Sequence, residues 1–152
     1  VFDFISKHKS EIICWVNPIC PLQTHMDIRK VVKTFINGKY DSLITVENKK
    51  AHAVLNNKEI NFSMREKFAR TQDLEPISLF VYSLMIWNTN KFIKSMKLNK
   101  YAFLTGNVKY YELDSNTNFV KNSNDLFIIE NIMKSKKRNK IKYDSLKKKI
   151  IL

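Results

Sequence analysis

Hydrogen-bonding side chains and prolines alternate in residues 16–24, directly after an apolar stretch, and this segment is the best placed to do chemistry. Residues 11–16 are mostly β-branched or apolar and almost free of charge, which predicts a strand buried on both faces. Prolines then end the strand, and ligands in open α/β sheets bind at such carboxyl ends. We therefore expect Asn17 and Pro18 to contact a substrate. Alternatively, the Asn17 side chain only satisfies the backbone of a local turn.

A second polar cluster occupies residues 68–76, ahead of another apolar strand. Arg70 carries a planar guanidinium group that suits a carboxylate or a phosphate. Gln72 can both donate and accept hydrogen bonds, as a hydroxylated ligand requires. The alternative is an exposed loop in which Arg70 pairs with Asp73 or Glu75.

Other reactive side chains are few. We expect His25 at the surface and His52 in a strand, rather than either as a catalytic base. Cys14 and Cys20 form no CxxC pair, so reduced thiols in a cytoplasm are favoured over a disulfide or a zinc site. The two glycines belong to no GxGxxG or GxxxxGK[ST] pattern, so the sequence contains no phosphate-binding loop of these types.

The order of predicted elements indicates an α/β fold with a mostly parallel sheet. An amphipathic helix from about residue 26 to 36, capped by Thr24 or Asp27, leads to a buried strand at 42–46. This strand–helix–strand order predicts a right-handed βαβ unit. The other predicted elements are a hairpin over 51–63, strands at 80–87, 101–105, 108–113 and 119–121, a helix at 89–96, and a helix capped by Asn122 with Asp125 in its first turn. Phe80, Tyr82 and Trp87 of the strand at 80–87 are expected in the core rather than in a base-stacking surface.

The length and the charge distribution of the chain indicate one domain and disfavour some kinds of partner. The 152 residues, 44% of them apolar, fit one domain at 1–133 followed by a basic tail at 134–152. Residues 131–152 carry nine Lys or Arg against one Asp, which leaves only +5 of the net charge of +13 for the other 130 residues. A nucleic-acid partner is therefore not expected. The chain has no apolar run of roughly 18 residues and no signal-peptide pattern, so we expect no membrane partner and a cytoplasmic location.

Several segments in order resemble the acylneuraminate cytidylyltransferases, the CMP-sialic acid synthetases and their relatives. They are residues 17–24, 27–28, 41–46 and 70–76, and residues 122–130 fit as well. The resemblance covers roughly residues 11–133. It implies a Rossmann-like nucleotidyltransferase fold of the glycosyltransferase-A type, with three layers. The chain would match only the C-terminal two-thirds of that family, and its start at Val1 instead of Met agrees with a missing N-terminal part.

The resemblance implies an enzyme that transfers CMP from CTP to the anomeric hydroxyl of an acidic sugar, with release of pyrophosphate and with Mg²⁺ as cofactor. It implies that Asn17 faces the substrate, that Arg70 binds the sugar carboxylate, and that Gln72, Asp73 and Ser83 lie at the same site.

Three features depart from the family. The strand at 80–87 lacks the small Gly-containing turn that many members use near the sugar, and Ser83 is the nearest small residue. The family's metal-binding aspartates usually lie just before the last helix, where this chain has no carboxylate at 118–122. A non-catalytic relative that acts as a binding or scaffolding domain is therefore the alternative. The family's first strand is also missing, which predicts an unpaired apolar sheet edge and a possible homodimer.

Overall fold

The computed structural model describes residues 1–8, 10–99, 103–113 and 119–135. Its helices are α1 (Phe2–Lys7), α2 (His25–Asn37), α3 (Thr89–Asn99) and α4 (residues 123–135). Its strands are β1 (Ile12–Val16), β2 (Ser42–Lys49), β3 (Val54–Leu55), β4 (Lys58–Glu59), β5 (Ile77–Asn88) and β6 (Val108–Glu112). No helix within these ranges is both long and apolar enough to cross a membrane.

The main sheet is mixed, with the strand order β1-β5-β2-β6. Strand β5 runs antiparallel to both β1 and β2, and only β2 and β6 pair in parallel. The predicted mostly parallel sheet is therefore wrong, because β5 enters between β1 and β2 in the opposite direction. Strands β1 and β2 still run the same way, as the predicted strand–helix–strand unit requires, but they are not neighbours.

Helices cover both faces of this sheet, which confirms the predicted α/β architecture. Successive residues of a strand point to opposite faces, so Leu43 and Ile44 enter different cores. Leu43 packs with Val31 and Phe35 of α2, whereas Ile44 packs with residues of α1 and α3. These two cores give the three layers expected of the fold.

The predicted cap of α2 is present in its reciprocal form. The Thr24 hydroxyl accepts a hydrogen bond from the Asp27 backbone N–H at 3.3 Å, and the Asp27 carboxylate accepts one from the Thr24 N–H at 2.8 Å. Asn122 and Asp125 make the same exchange at the start of α4, at 3.0 and 3.1 Å. Such caps satisfy amide groups that the first helical turn leaves unpaired. They fix where both helices begin.

A wide bulge interrupts β5 opposite Thr45. Ile44 pairs with Met85, but Val46 pairs with Phe80, so three more residues lie on β5 than the register requires. The buried Thr45 hydroxyl fills this gap. It donates to the Val81 carbonyl, contacts the Ser83 hydroxyl at 3.0 Å, and accepts from the Leu84 N–H at 3.2 Å.

The exposure of two aromatic residues of β5 corrects the predicted core. Trp87 is 2% exposed, as expected, but Phe80 and Tyr82 are 40% and 45% exposed. Their rings form an exposed aromatic group with Phe103 and Tyr110, at centroid distances of 5.9 to 6.3 Å. The prediction that all three aromatic residues are buried is therefore wrong for these two.

Other predicted elements differ in smaller ways. Strand β1 is half-buried or exposed rather than buried on both faces, because it has a partner on one side only in the described part of the sheet.

Two of the predicted short strands are absent. Residues 103–105 and 119–121 are not strands, and residues 101 and 102 lie outside the described ranges. The hairpin turns at Asn56 and Asn57, as predicted, but its strands are only two residues long. The proposed boundary after residue 133 falls within α4, and the tail from 136 onward lies outside the described residues.

Candidate functional site

A groove of about 370 Å³ lies at the carboxyl end of β2, and we call it the strand-end groove. Its volume lies within the range of small-ligand pockets. It is bordered by the last residues of β2, the first half of β5 and the segment that leads into α4. The lining residues are Glu47, Lys49, Leu79, Phe80, Val81, Phe119, Lys121, Asp125 and Ile128.

Both cationic side chains of the groove are exposed. The Lys49 ammonium lies 3.5 Å from the Glu47 carboxylate, and these side chains are 53% and 41% exposed. The Lys121 ammonium lies 5.3 Å from the centre of the Phe119 ring, within cation–π range. It has no ion pair among the described residues. One lysine is therefore weakly paired, and the other is held only over an aromatic face.

The Asp125 carboxylate is already occupied by backbone groups. Its Oδ2 accepts hydrogen bonds from the N–H groups of Lys121 and Asn122, at 2.9 and 3.1 Å. It thus holds the entry to α4 in place. The described residues contain no group of three or more His, Cys, Asp or Glu that could hold a metal ion. The Mg²⁺ that the resemblance implies stays a prediction, and the carboxylates at this groove do not fit such a site.

The loop after β1 joins the same region. The Asn17 N–H donates to the Ser83 carbonyl at 2.8 Å, and the Val120 N–H donates to the Ile19 carbonyl at 2.9 Å. The half-buried Asn17 side chain accepts a hydrogen bond from the Ile19 N–H at 3.2 Å. This is the local turn contact that the alternative interpretation described. Its side-chain NH₂ group makes no hydrogen bond to the described residues, and Pro18 is exposed.

Arg70 and Asp73 pair with each other in an exposed loop. Arg70 Nε lies 2.8 Å from Asp73 Oδ2, and Nη2 lies 3.4 Å from Oδ1. This is the pairing that the alternative interpretation named. The pair borders a separate depression of about 430 Å³ rather than the strand-end groove. The Gln72 side chain is exposed, and the Gln72 backbone carbonyl accepts a hydrogen bond from the Lys50 ammonium at 2.7 Å.

His52 attaches this loop to the hairpin. Its Nε2 lies 2.9 Å from the Ala69 carbonyl, and its ring stacks on Phe68 at 4.3 Å. Asn61 donates to the Glu75 carbonyl at 2.9 Å. These contacts give His52 a structural position, although it does not lie in a strand. His25 is the first, exposed residue of α2.

Ser83 is fully buried in the β5 bulge. Its hydroxyl contacts Thr45, and its carbonyl holds the Asn17 N–H. Through its backbone carbonyl, Ser83 therefore holds the start of the loop after β1. The structure thus brings Asn17 and Ser83 together, and it places Arg70, Gln72 and Asp73 in a second loop.

Gln23 is a further polar group in the loop after β1. Both its side-chain oxygen and its nitrogen are buried without a hydrogen-bond partner in the part of the chain that the structure describes. Buried polar atoms are nearly always paired, so this amide is available to a ligand or to another segment. Nearby, burial raises the pKa of the Cys20 thiol to about 11, and burial also raises that of Cys14. Both thiols are neutral at pH 7, which argues against nucleophilic roles.

Sequence reasoning missed Glu47 and Lys49 of the groove. Glu47 directly follows the apolar run at 42–46 and Lys49 lies two residues further on, so they stand at the carboxyl end of a strand. The same rule that singled out Asn17 after β1 could have found them.

Comparisons with known proteins identify the fold. No protein-family model and no curated protein sequence matches the chain. Among solved structures, 4-diphosphocytidyl-2C-methyl-D-erythritol synthase from Anaerococcus prevotii matches with a TM-score of 0.60 at 9% identity. The match covers 88% of this chain and 64% of that protein. The bifunctional IspDF from Campylobacter jejuni matches with a TM-score of 0.57 at 15% identity, over 82% of this chain and 32% of that one.

The fold is thus the one that these two structures represent, with a mixed sheet between helical layers. The chain spans less than two thirds of the length of either. At 9% and 15% identity the likeness defines the fold alone.

Proposed function

We propose that the chain is part of a cytidylyltransferase that transfers CMP from CTP to an acidic sugar. The observation that carries the proposal is the fold, which matches a protein named for a diphosphocytidyl product. In this fold the chain places the loop after β1 and the strand-end groove at the carboxyl ends of β1 and β2. The segments that resemble acylneuraminate cytidylyltransferases include this loop and the one that carries Arg70.

In the proposed reaction, the anomeric hydroxyl oxygen of the sugar forms a bond to the α-phosphorus of CTP. The bond from that phosphorus to the bridging oxygen breaks, pyrophosphate leaves, and the hydroxyl proton passes to water. Such phosphoryl chemistry depends on positioning and on neutralising charge more than on a strong nucleophile. Asn17 and Pro18 would line the reacting groups, with Ser83 holding their loop. Lysines at the groove would face the phosphates.

Arg70 would bind the carboxylate of the sugar. Its contact with Asp73 uses two of the five N–H donors of the guanidinium, so three remain for a ligand. The pair is exposed, at 73% and 50% for the two side chains, and contributes at most about 1 kcal/mol to folding. Replacing Arg70 therefore tests binding with little effect on stability.

The test is steady-state release of pyrophosphate from CTP by the protein from its natural source, with an N-acylneuraminate as acceptor. Arg70→Ala should raise the KM for the sugar about tenfold or more, as loss of a charge-assisted contact does, while the KM for CTP stays constant. Arg65→Ala, which changes another exposed arginine of the same region, is the matched control. Unchanged kinetics of Arg70→Ala would contradict the assignment of this loop.

A non-catalytic binding domain is the second candidate. The observation that favours it is the segment before α4, which presents Phe119 and Lys121 where the resembling family carries metal-binding aspartates. Such a protein would bind a nucleotide or a sugar without turnover. Release of pyrophosphate by the native protein would eliminate this candidate.

A further inference from the structure

We infer that the strand-end groove binds a phosphate-bearing anion directly through the ammonium groups of Lys121 and Lys49, without a metal ion held by protein carboxylates. The inference rests on the proposed function for the identity of the ligand, which is a nucleoside triphosphate or the pyrophosphate released from it. It assigns to two lysines the charge neutralisation that the resemblance assigns to Mg²⁺.

Lys121 is the principal cation because its backbone is fixed and its ammonium group has no ion pair among the described residues. Its N–H donates to Asp125, and the adjacent Val120 N–H donates to the Ile19 carbonyl of the loop after β1. The Phe119 ring lies under the ammonium group at 5.3 Å. With no ion pair to a described residue, Lys121 can bind an anion without first breaking a salt bridge.

Lys49 supplies a second positive charge to the groove from the last residue of β2. Its contact with Glu47, at 3.5 Å between half-exposed side chains, belongs to the class of surface pairs that contribute little. A multiply charged anion can therefore compete for Lys49. The expected contribution of Lys49 is smaller than that of Lys121, since the Glu47 carboxylate remains nearby.

The carboxylates of the groove are poor ligands for a divalent cation. Mg²⁺ needs near-octahedral oxygen ligands at about 2.0–2.1 Å. Asp125 Oδ2 instead accepts two backbone N–H groups, and Glu47 faces Lys49. The ammonium groups of Lys121 and Lys49 are hydrogen-bond donors, which complement the acceptor oxygens of a phosphate.

The experiment is calorimetric titration of the full chain with inorganic pyrophosphate, in low salt with EDTA and again with excess Mg²⁺. Wild type should bind pyrophosphate in EDTA. Lys121→Gln should weaken binding about five- to tenfold and Lys49→Gln about twofold, whereas Lys121→Arg should retain it. Lys94→Gln, an exposed lysine of α3 outside the groove, is the control and should bind as wild type does.

Three results would overturn the inference: binding only with Mg²⁺, equal affinity of wild type and Lys121→Gln, or no binding in either buffer. The proposed function fails separately, by absence of pyrophosphate release from CTP with an acidic sugar. Binding in EDTA without turnover would thus support the anion site and reject the transferase. Turnover together with strictly Mg²⁺-dependent binding of pyrophosphate would support the transferase and reject the metal-free anion site.

Discussion

The hydroxyl of Thr45 organises the bulge that supports the candidate site, so Thr45→Val should destabilise the protein substantially. The substitution keeps the shape of the side chain but removes the contacts to Val81, Ser83 and Leu84. Thr45 and Ser83 are both 0% exposed, so water cannot replace the lost contacts. A buried polar group left without its partner costs about 1–3 kcal/mol.

With three groups affected and partial relaxation of the bulge, we expect a loss of about 3 kcal/mol in the free energy of unfolding. Urea denaturation followed by tryptophan fluorescence measures this, since Trp87 lies in the adjacent core. Thr34→Val makes the same chemical change on α2, where the hydroxyl has no hydrogen bond to a described residue, and should change stability by less than about 0.5 kcal/mol. Equal stabilities of the two variants would refute the role assigned to the Thr45 hydroxyl.

Further predictions concern the same loops and the sheet edge. Ser83→Ala should lower stability by about 1 kcal/mol, because it removes one buried hydroxyl contact, and should leave the KM for the sugar unchanged; a selective rise in KM would show direct substrate contact instead. Burial raises the pKa of Cys20 from 9.0 to about 11, so the unfolded chain ionises first and the free energy of unfolding should fall between pH 9 and pH 11; Cys20→Ser should flatten this decline, and a decline of equal size in the variant would contradict it. Gly106→Ala should destabilise the protein, since φ at Gly106 is +64° and an added Cβ would overlap the Asp41 carboxylate; denaturation measures this, and wild-type stability would contradict it. Trp15→Lys, at an exposed position of β1, should weaken self-association if a dimer forms through that edge, as light scattering would show; an unchanged mass would place any dimer contact elsewhere.

The helices and the strands beside them could be predicted from local signals. Helix caps are formed by residues close in sequence, so they can be recognised locally. The start of α2 is predicted by Thr24 and Asp27, and the start of α4 by Asn122 and Asp125. The apolar stripe of α2 likewise identified its buried face, where Val31 and Phe35 lie.

The pairing of strands that are distant in sequence could not be predicted from local sequence patterns. Nothing local to β5 shows that it runs antiparallel between β1 and β2, since apolar runs suit either direction. The bulge at Thr45 depends on three extra residues of a strand more than 30 positions away. It therefore shifted the aromatic residues of β5 without a signal that could be read in advance.

The location of the candidate site could be predicted from the sequence, but only some of its residues could. The rule that ligands bind at carboxyl ends of strands led to Asn17, and the same rule, applied to β2, leads to Lys49. The position of Lys121 beside them depends on the contact between Val120 and Ile19, which joins segments about 100 residues apart. Only the folded chain shows that Lys49 and Lys121 border one groove.

Incubating the protein with CTP and an N-acylneuraminate, and measuring the pyrophosphate released, is the direct test of the proposed transfer of CMP. We expect acceptor-dependent release of one pyrophosphate for each CMP-sugar formed, reduced in Arg70→Ala and retained in Arg65→Ala. Absence of pyrophosphate release from a folded protein, across a panel of acidic sugars and with or without Mg²⁺, would contradict the proposed transfer of CMP and favour a binding domain.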